Sequence, residues 1–378
     1  MKTSTLFGAT LCTFLAAGAH AQSSVAIYGF VDVGIRHVNN SGVGSITSEA
    51  SGGYRTSRLG FRGTEDLGGG TFAGFKLEAA VGADTGTAGS TTVAGQFFNR
   101  GSYVELGNKS YGTVRLGLDL NPTYVTWFEN DPWYGIGMGS AGNLFNTTQN
   151  GPLRSVFGPV SNTETTTFYT RNMVQYFSPN VGGFFGVVAY APREGALSSA
   201  GAAQQAHFRL GYNAGGPFKA AISRATSHAQ VVAAGPVSLE VDTDANASYD
   251  FGPVKLAAAW RQFKADTSKQ NNYFLAATIP LHSGNLQGWY GRSKMSGTVA
   301  ANLVPGTSAG SIDRDGAAMW VLGYQYFLSK RTTLYTTAAH LSNHGHSFLS
   351  LPGGPAVTIA NFAGHTSTGY EVGISHAF

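Results

Sequence analysis

The last twelve residues, STGYEVGISHAF (367–378), keep an alternation that runs to an aromatic at the final position. Tyr370, Val372, Ile374 and Phe378 fall on one side, and Gly369, Glu371, Gly373, Ser375 and Ala377 on the other. A period of two over a whole segment is that of a strand with one apolar and one polar face. The same texture recurs along nearly the entire chain. Beyond the first twenty or so residues, no run approaches the roughly 18 apolar residues of a membrane helix. An exported chain built of two-faced strands points to a closed barrel in a bacterial outer membrane.

Export is read from the start of the chain. Lys2 supplies a positive charge, Leu6 to Ala19 is mostly apolar, and Ala19-His20-Ala21 has the small-x-small form of a cleavage site. Residues 1–21 are therefore expected to be a signal peptide, cleaved near Ala21, and residues 22–378 a single transmembrane barrel domain. Cys12, the sole cysteine, lies in the removed segment and lacks the small residue before it that a lipoprotein signal requires. The mature chain is left without disulfides, cysteine metal ligands or thiol chemistry.

Composition bears on the partners. Lys and Arg number 24 against 20 acids, and no basic run occurs, so nucleic acid is not an expected partner. Charged residues make up 12%, about half the usual share. Aromatics also reach 12% and mean hydropathy is −0.05. Low charge with many aromatics suits an outside that meets lipid and an inside that meets water.

Alternation and turn residues together predict sixteen strands. They lie near 24–37, 55–65, 71–83, 96–106, 112–119, 166–177, 184–193, 203–213, 218–230, 238–250, 254–264, 271–281, 285–295, 315–328, 332–342 and 367–378. In the first, Val25, Ile27, Val31, Val33 and Ile35 would face lipid, and Tyr28, Phe30, Asp32 and Arg36 the lumen. Short turns such as DLGGG (66–70) alternate with longer loops, as between the periplasmic and outer ends of bacterial barrels. The segment 120–165 has no alternation and reads as a long functional loop. The fold class is all-β, a closed antiparallel sixteen-stranded barrel, and that strand number leaves an aqueous lumen rather than a side-chain core.

Enzyme-like patterns lack their context. Gly306-Thr-Ser308-Ala-Gly310 has the spacing of a nucleophile elbow but no strand-to-helix turn around it. Gly137-Met-Gly139-Ser-Ala-Gly142 has that of a dinucleotide loop but opens no helix. His340, His344, His346 and His365 lack the cysteines or carboxylates that would complete a metal site. No catalytic residue, metal or cofactor is expected.

Several segments in order resemble the Gram-negative general-diffusion porins: SSVAIYGFVDVGI, TSRLGFRGTEDLGGG, GQFFNRGSYVELG, the SPN-x-GGF turn, YFLSKRTTLY and the terminal Phe378. The resemblance spans essentially all of 22–378. It implies a homotrimer, with the third outer loop folded into each pore and wall cations facing loop acids. Matched residue by residue, the wall positions are Arg58 with Arg62 one pleat on, Arg100 and Arg171, and the loop acids are Glu129 and Asp131. Arginine there would carry a fixed charge and a rigid fork of donors. On the lipid face it would cost about 2–4 kcal/mol at the midplane, which favours the lumen. Phe30 and Leu118 stand where the family often has Lys and Arg, so the basic row is shorter. Phe378 matches the terminal aromatic that guides assembly in that family. Tyr124, Trp127, Trp133 and Tyr134 would either pack the loop on the wall or form a stacking track for a solute.

The resemblance and the strand count together imply a passive outer-membrane channel for small hydrophilic solutes and ions, in contact with outer-membrane lipid and lipopolysaccharide. A substrate-specific channel of the same fold is the alternative, and would need an ordered track. An outer-membrane hydrolase would need an exposed Ser/His/acid set, and a non-conducting adhesin or phage receptor a plugged lumen.

Overall fold

The computed structural model describes residues 24–89, 95–145, 168–192, 204–230, 237–265, 267–299 and 310–378. The expected signal peptide and its cleavage site, the Gly306–Ser308 part of the elbow-like motif and the stretch 146–165 of the long loop lie outside these residues.

The strands are β1 Ser24–Asn40, β2 Gly44–Ser51, β3 Arg58–Gly68, β4 Thr71–Gly82, β5 Thr87–Ala88, β6 Gly101–Asn108, β7 Gly112–Leu120, β8 Tyr169–Phe177, β9 Phe184–Ala191 and β10 Gln205–Asn213. They continue with β11 Phe218–Gln230, β12 Val237–Asp250, β13 Lys255–Ala265, β14 Ser268–Leu281, β15 Gly284–Ser296, β16 Thr298–Val299, β17 Gly310–Ser311, β18 Gly316–Phe327, β19 Thr332–His344 and β20 Thr366–Ala377. Helix α1 spans Pro122–Phe128, and a short α2 spans Ile359–Phe362.

Sixteen of these strands form a closed antiparallel barrel. Each pairs with its neighbour in sequence, and β1 meets β20 from Phe30↔Ala377 to Asn40↔Ser367. Closure satisfies the backbone groups that an open edge would leave bare in lipid. Phe378 completes the seam. It exchanges backbone hydrogen bonds with Gly29, and a Cβ on Gly29 would collide with its ring.

The outward face carries the expected apolar positions, with Val25, Ile27, Leu275 and Val372 all well exposed. Exposed aromatics gather in two bands. Tyr176, Phe184, Tyr249 and Phe327 lie at the short-turn end, and Tyr190, Tyr273, Trp320 and Tyr370 nearer the long-loop end. Such girdles mark the two interfaces of a membrane.

Three features depart from the sequence reading. The strand expected near 96–106 begins at Gly101, so Arg100 lies just before β6 and not on it. The segment expected to be a loop before Tyr54 contains β2, which pairs with the outer half of β1 from Val33↔Ser51 to Asn40↔Gly44. Its residues, GSITSEAS, are mostly small and polar and give no two-faced signal. The lumen is also not wholly aqueous. Trp127, Phe128, Trp133 and Met138 from the long loop pack with Phe274 and Trp289 of the wall into a buried cluster.

Candidate functional site: the charged lumenal wall and the inward loop

The site begins with a buried carboxylate. Asp32 on β1 is fully buried and accepts from the backbone N–H groups of Gly53 at 2.8 Å and Arg55 at 2.8 Å, and from Tyr335 Oη at 2.9 Å. These bonds turn the chain between β2 and β3 against the barrel's inner wall. Gly52 serves the turn with φ +77°, a conformation that disfavours a side chain. The turn delivers Arg55 and Arg58. Phe30 lies between them, its ring 5.8 Å from the Arg55 guanidinium and 4.9 Å from that of Arg58.

Glu78 on β4 gathers the nearby cations. It receives Arg58 Nη1 at 3.2 Å, Arg100 Nε at 3.2 Å and Lys76 Nζ at 3.3 Å, and Tyr28 Oη donates to it at 2.8 Å. Gly60, directly across from both Tyr28 and Glu78, makes room, because a Cβ there would strike the Tyr28 ring. Arg58 and Arg100 are thus brought together as the sequence suggested, through a carboxylate it had not singled out.

The other expected wall positions diverge. Arg62 is exposed and lies 5.1 Å from the Tyr28 ring. Arg171 donates to Gln96 at 3.4 Å and, among the described residues, shares no carboxylate with Arg58 and Arg100. A register shift between Gly117 and Asp119 interrupts the alternation beside it, and Asn172 takes φ +54°. Thr170 consequently takes the buried inward position, with its hydroxyl on Gln205 at 3.1 Å.

Glu129 and Asp131 find their partners away from Arg58 and Arg100. Helix α1 starts at Pro122 behind Asn121, whose side chain caps Tyr124 N–H at 2.7 Å. Beyond its end, Glu129 pairs with Arg209 of β10 at 2.7 Å and accepts from Asn246 of β12 at 2.6 Å. Asp131 is buried and accepts the N–H groups of Trp133 at 2.9 Å, Gly135 at 3.0 Å and Ala141 at 2.9 Å. Burial pushes its carboxyl up to about 6 despite those three donors. Its chemistry is that of a turn organiser. Side chains from the loop meet the arginines as phenols: the Tyr134 ring is 5.1 Å from Arg55, and Arg100 and Arg58 are among the charges around Tyr124. Burial raises the Tyr124 phenol while these arginines oppose the shift.

The loop is stapled along the opposite wall. Trp133 Nε1 donates to Thr337 at 3.1 Å, Gln287 donates to Pro132 O at 3.2 Å, Trp289 Nε1 donates to Gly139 O at 2.7 Å, and Gln270 donates to Leu144 O at 3.3 Å. Trp127 and Trp133 are buried, which answers the packing-or-track question for these two rings. The glycine motif at 137–142 is part of this fit. Gly137 has φ +64° and abuts the Gly53 backbone, and Gly139 lies under the Trp133 ring. The histidines do not converge. His340 stacks on Trp320, His365 on Phe362, and His346 reaches Asp315 at 3.3 Å.

Below α1, between it and β4–β10, lies a cavity of about 520 Å³ lined by Lys76, Tyr103, Arg115, Gln175 and Arg209 among others. Arg115 is held there by Glu105 at 2.7 Å and by Asp119.

A closed barrel with lipid-facing aromatics and a charged, partly open lumen defines a membrane-spanning channel. The model of the Gram-negative porin family matches residues 8–346, and the chain belongs to that family. It is 34% identical over 384 residues to outer membrane porin protein 32 of Delftia acidovorans, covering 97% of this chain and 98% of that one. It is 29% identical over 391 residues to an outer membrane porin protein of Bordetella pertussis, covering 90% and 94%. A solved structure titled an anion-selective porin from Comamonas acidovorans superposes with a TM-score of 0.78 at 31% identity, covering 94% of this chain and all of that one. The protein is therefore an outer-membrane channel of Gram-negative type, and its family is one of pores rather than enzymes.

Lys76, Glu78, Arg55 and Arg209 escaped the sequence reading. Lys76 and Glu78 were accessible to it, since they share a parity in FKLEAA on a strand already assigned. Arg55 carried no such signal, because its direction depends on the turn around Asp32.

Proposed function

We propose that the protein is a passive aqueous channel that favours small anions, with a one-sided constriction formed by Arg58 and Arg100 together with Arg55 and Lys76. The carrying observation is that three cations share Glu78, while the two loop acids are engaged elsewhere. An anion passing that wall meets fixed donors whose charge is only partly offset. Field strength is high where a pore is narrow and poorly screened. The anion selectivity stated for the Comamonas acidovorans relative supports the same sign. Arg62, beside the Tyr28 ring, and Arg171, bonded to Gln96, are secondary basic positions in this reading. The pore works as a homotrimer after removal of residues 1–21, and its outer surface is solvated by lipid and lipopolysaccharide.

Planar-bilayer recording tests the reading. In a KCl gradient the reversal potential is expected to have the sign of anion preference, with closure in three equal steps. A cation-preferring potential overturns the one-sided constriction, and single steps overturn the trimer. Phe378 is assigned to assembly, on the strength of its bonds to Gly29 across the seam. Deleting it is expected to lower the amount of folded barrel in the outer membrane, and an undiminished yield would contradict that role.

A further inference from the structure

Tyr134 is the loop ring that packing leaves over. Trp127 and Trp133 are buried against the wall, whereas Tyr134 is 49% exposed. Its N–H closes the turn on Asp131 O at 2.9 Å, and its backbone takes φ +52°, a left-handed conformation that a tyrosine rarely adopts. An exposed ring held at such a backbone position points to a use in the lumen, beside the arginines it meets.

That ring opens a series that runs down the charged wall. The Arg55 guanidinium lies 5.1 Å from the Tyr134 ring and 5.8 Å from the Phe30 ring. The Arg58 guanidinium lies 4.9 Å from Phe30, and that of Arg62 lies 5.1 Å from the Tyr28 ring. Strand register sets their order. Phe30 is level with Arg58, and Tyr28 with Gly60, midway between Arg58 and Arg62. Phe30 and Tyr28 are therefore about 7 Å apart along the strand, and Arg58 and Arg62 about 14 Å. From the inward loop toward the short turn after β3, ring and cation alternate: Tyr134, Arg55, Phe30, Arg58, Tyr28, Arg62.

Both parts of this series are open to a solute. Arg55 and Arg62 join no ion pair among the described residues, and the Arg55 side chain donates there only to Tyr54 Oη, at 3.3 Å. Arg58 shares Glu78 with two further cations, Arg100 and Lys76. Phe30 and Tyr28 are half-buried, so part of each ring faces the lumen. A guanidinium offers N–H donors to a carboxylate along its edge and a flat face to an aromatic ring. The side-chain rings add stacking surface of their own. A solute with both a carboxylate and a planar ring uses all of these contacts, whereas an aliphatic acid of the same size uses only the N–H donors.

We propose that the series from Tyr134 to Arg62 is a track that selects aromatic carboxylates over aliphatic carboxylates of equal charge and similar size, passing them from one ring and cation to the next. The inference rests on the reading of the chain as an anion-favouring channel, and it names a class among those anions.

The test uses the full folded protein in planar bilayers, with the chloride current in KCl blocked by benzoate or by cyclohexanecarboxylate at neutral pH. Both acids are ionised and close in size, and they differ in the planar ring. Benzoate is expected to reach half-block at a concentration about fivefold lower, the gain from one ring stack. Benzyl alcohol, which has the ring without the charge, is expected not to block over the benzoate range. Phe30→Leu/Tyr134→Asn removes two rings and places at 134 a residue that tolerates the left-handed backbone. In that variant the ratio of the two half-block concentrations is expected to fall toward unity. Should the double variant fail to fold, Tyr134→Asn and Phe30→Leu alone are each expected to lower the ratio.

Equal half-block by the two acids in the wild type overturns the proposal. So does block by benzyl alcohol in the benzoate range, or a ratio that survives loss of the rings. With a wild-type reversal potential of anion-preferring sign, these outcomes leave the channel reading intact. A cation-preferring potential removes that reading, and the track built on it, whatever the ratio.

Discussion

The lumenal faces of β13–β19 and of β1–β8 line one barrel with opposite chemistry. The first presents Phe263, Phe274, Trp289, Met319 and Leu341, which bury the long loop as a protein core would. The second presents Arg58, Lys76, Glu78 and Arg100, with Asp32 shaping the turn that carries Arg55. One wall therefore spends apolar area on holding the loop, and the other keeps charge beside the open lumen. On the proposed reading, a pore of this width is narrowed by a hydrophobic interior and made selective by a separate charged strip. Glu129 and Asp131 fasten the loop, one through Arg209 and Asn246 and the other through backbone N–H groups.

The largest effect should come from breaking the apolar side. Trp133→Ala removes a buried ring and its bond to Thr337. Truncating a packed Trp costs about 3–5 kcal/mol. Looser loop anchoring is expected to raise single-channel conductance and open-channel noise and to expose the loop to protease. A variant with unchanged conductance and protease resistance would show that the loop is held by something other than this cluster.

A smaller effect is expected at Asp131, where replacement by Ala leaves three backbone donors without their acceptor, at a cost of about 1–3 kcal/mol. The same residue carries a pH signature. Its carboxyl is raised from 3.8 to about 6, so the folded loop binds the proton more tightly than an opened one. That contribution is full below the unfolded value and is lost as pH rises through about 6. Protease resistance of the loop is expected to increase as pH falls through this window, and Asp131→Asn to remove the dependence. Selectivity is expected to stay level over the same range, because the carboxylate faces backbone rather than lumen. A reversal potential that follows the Asp131 titration would blur the distinction between the two walls.

Much of the barrel was legible because period two is a direct imprint of a lipid face and a lumenal face. The strand near 218–230 was read with the bounds of β11, and that near 112–119 ends one residue short of β7. The apolar wall was harder to see. In NNYFLAAT, Phe274 faces in and Leu275 faces out, so the alternation fades where both faces are hydrophobic. Arg171 stands apart from Arg58 and Arg100 for a local reason, since period counting passes straight through a bulge that the residue types do not announce. Glu129 and Asp131 were found as residues, but their partners, Arg209 and a set of backbone N–H groups, lie far away in sequence or have no side chain to read. Cross-barrel contacts of this kind are set by how the loop folds rather than by any periodicity.

The central claim is that the Arg58–Arg100 strip, and not the loop's ion pair, sets the sign of selectivity. Two double variants measured in the same KCl gradient separate these sources. Arg58→Ala/Arg100→Ala removes two positive charges from the open wall, whereas Arg209→Ala/Glu129→Ala removes one of each sign. The account predicts that the first moves the reversal potential strongly toward cations and the second moves it little. It also predicts that the first shift shrinks near 1 M salt, where the screening length is about 3 Å. A potential that moves with Arg209 and Glu129 and stays fixed when Arg58 and Arg100 are removed would contradict it.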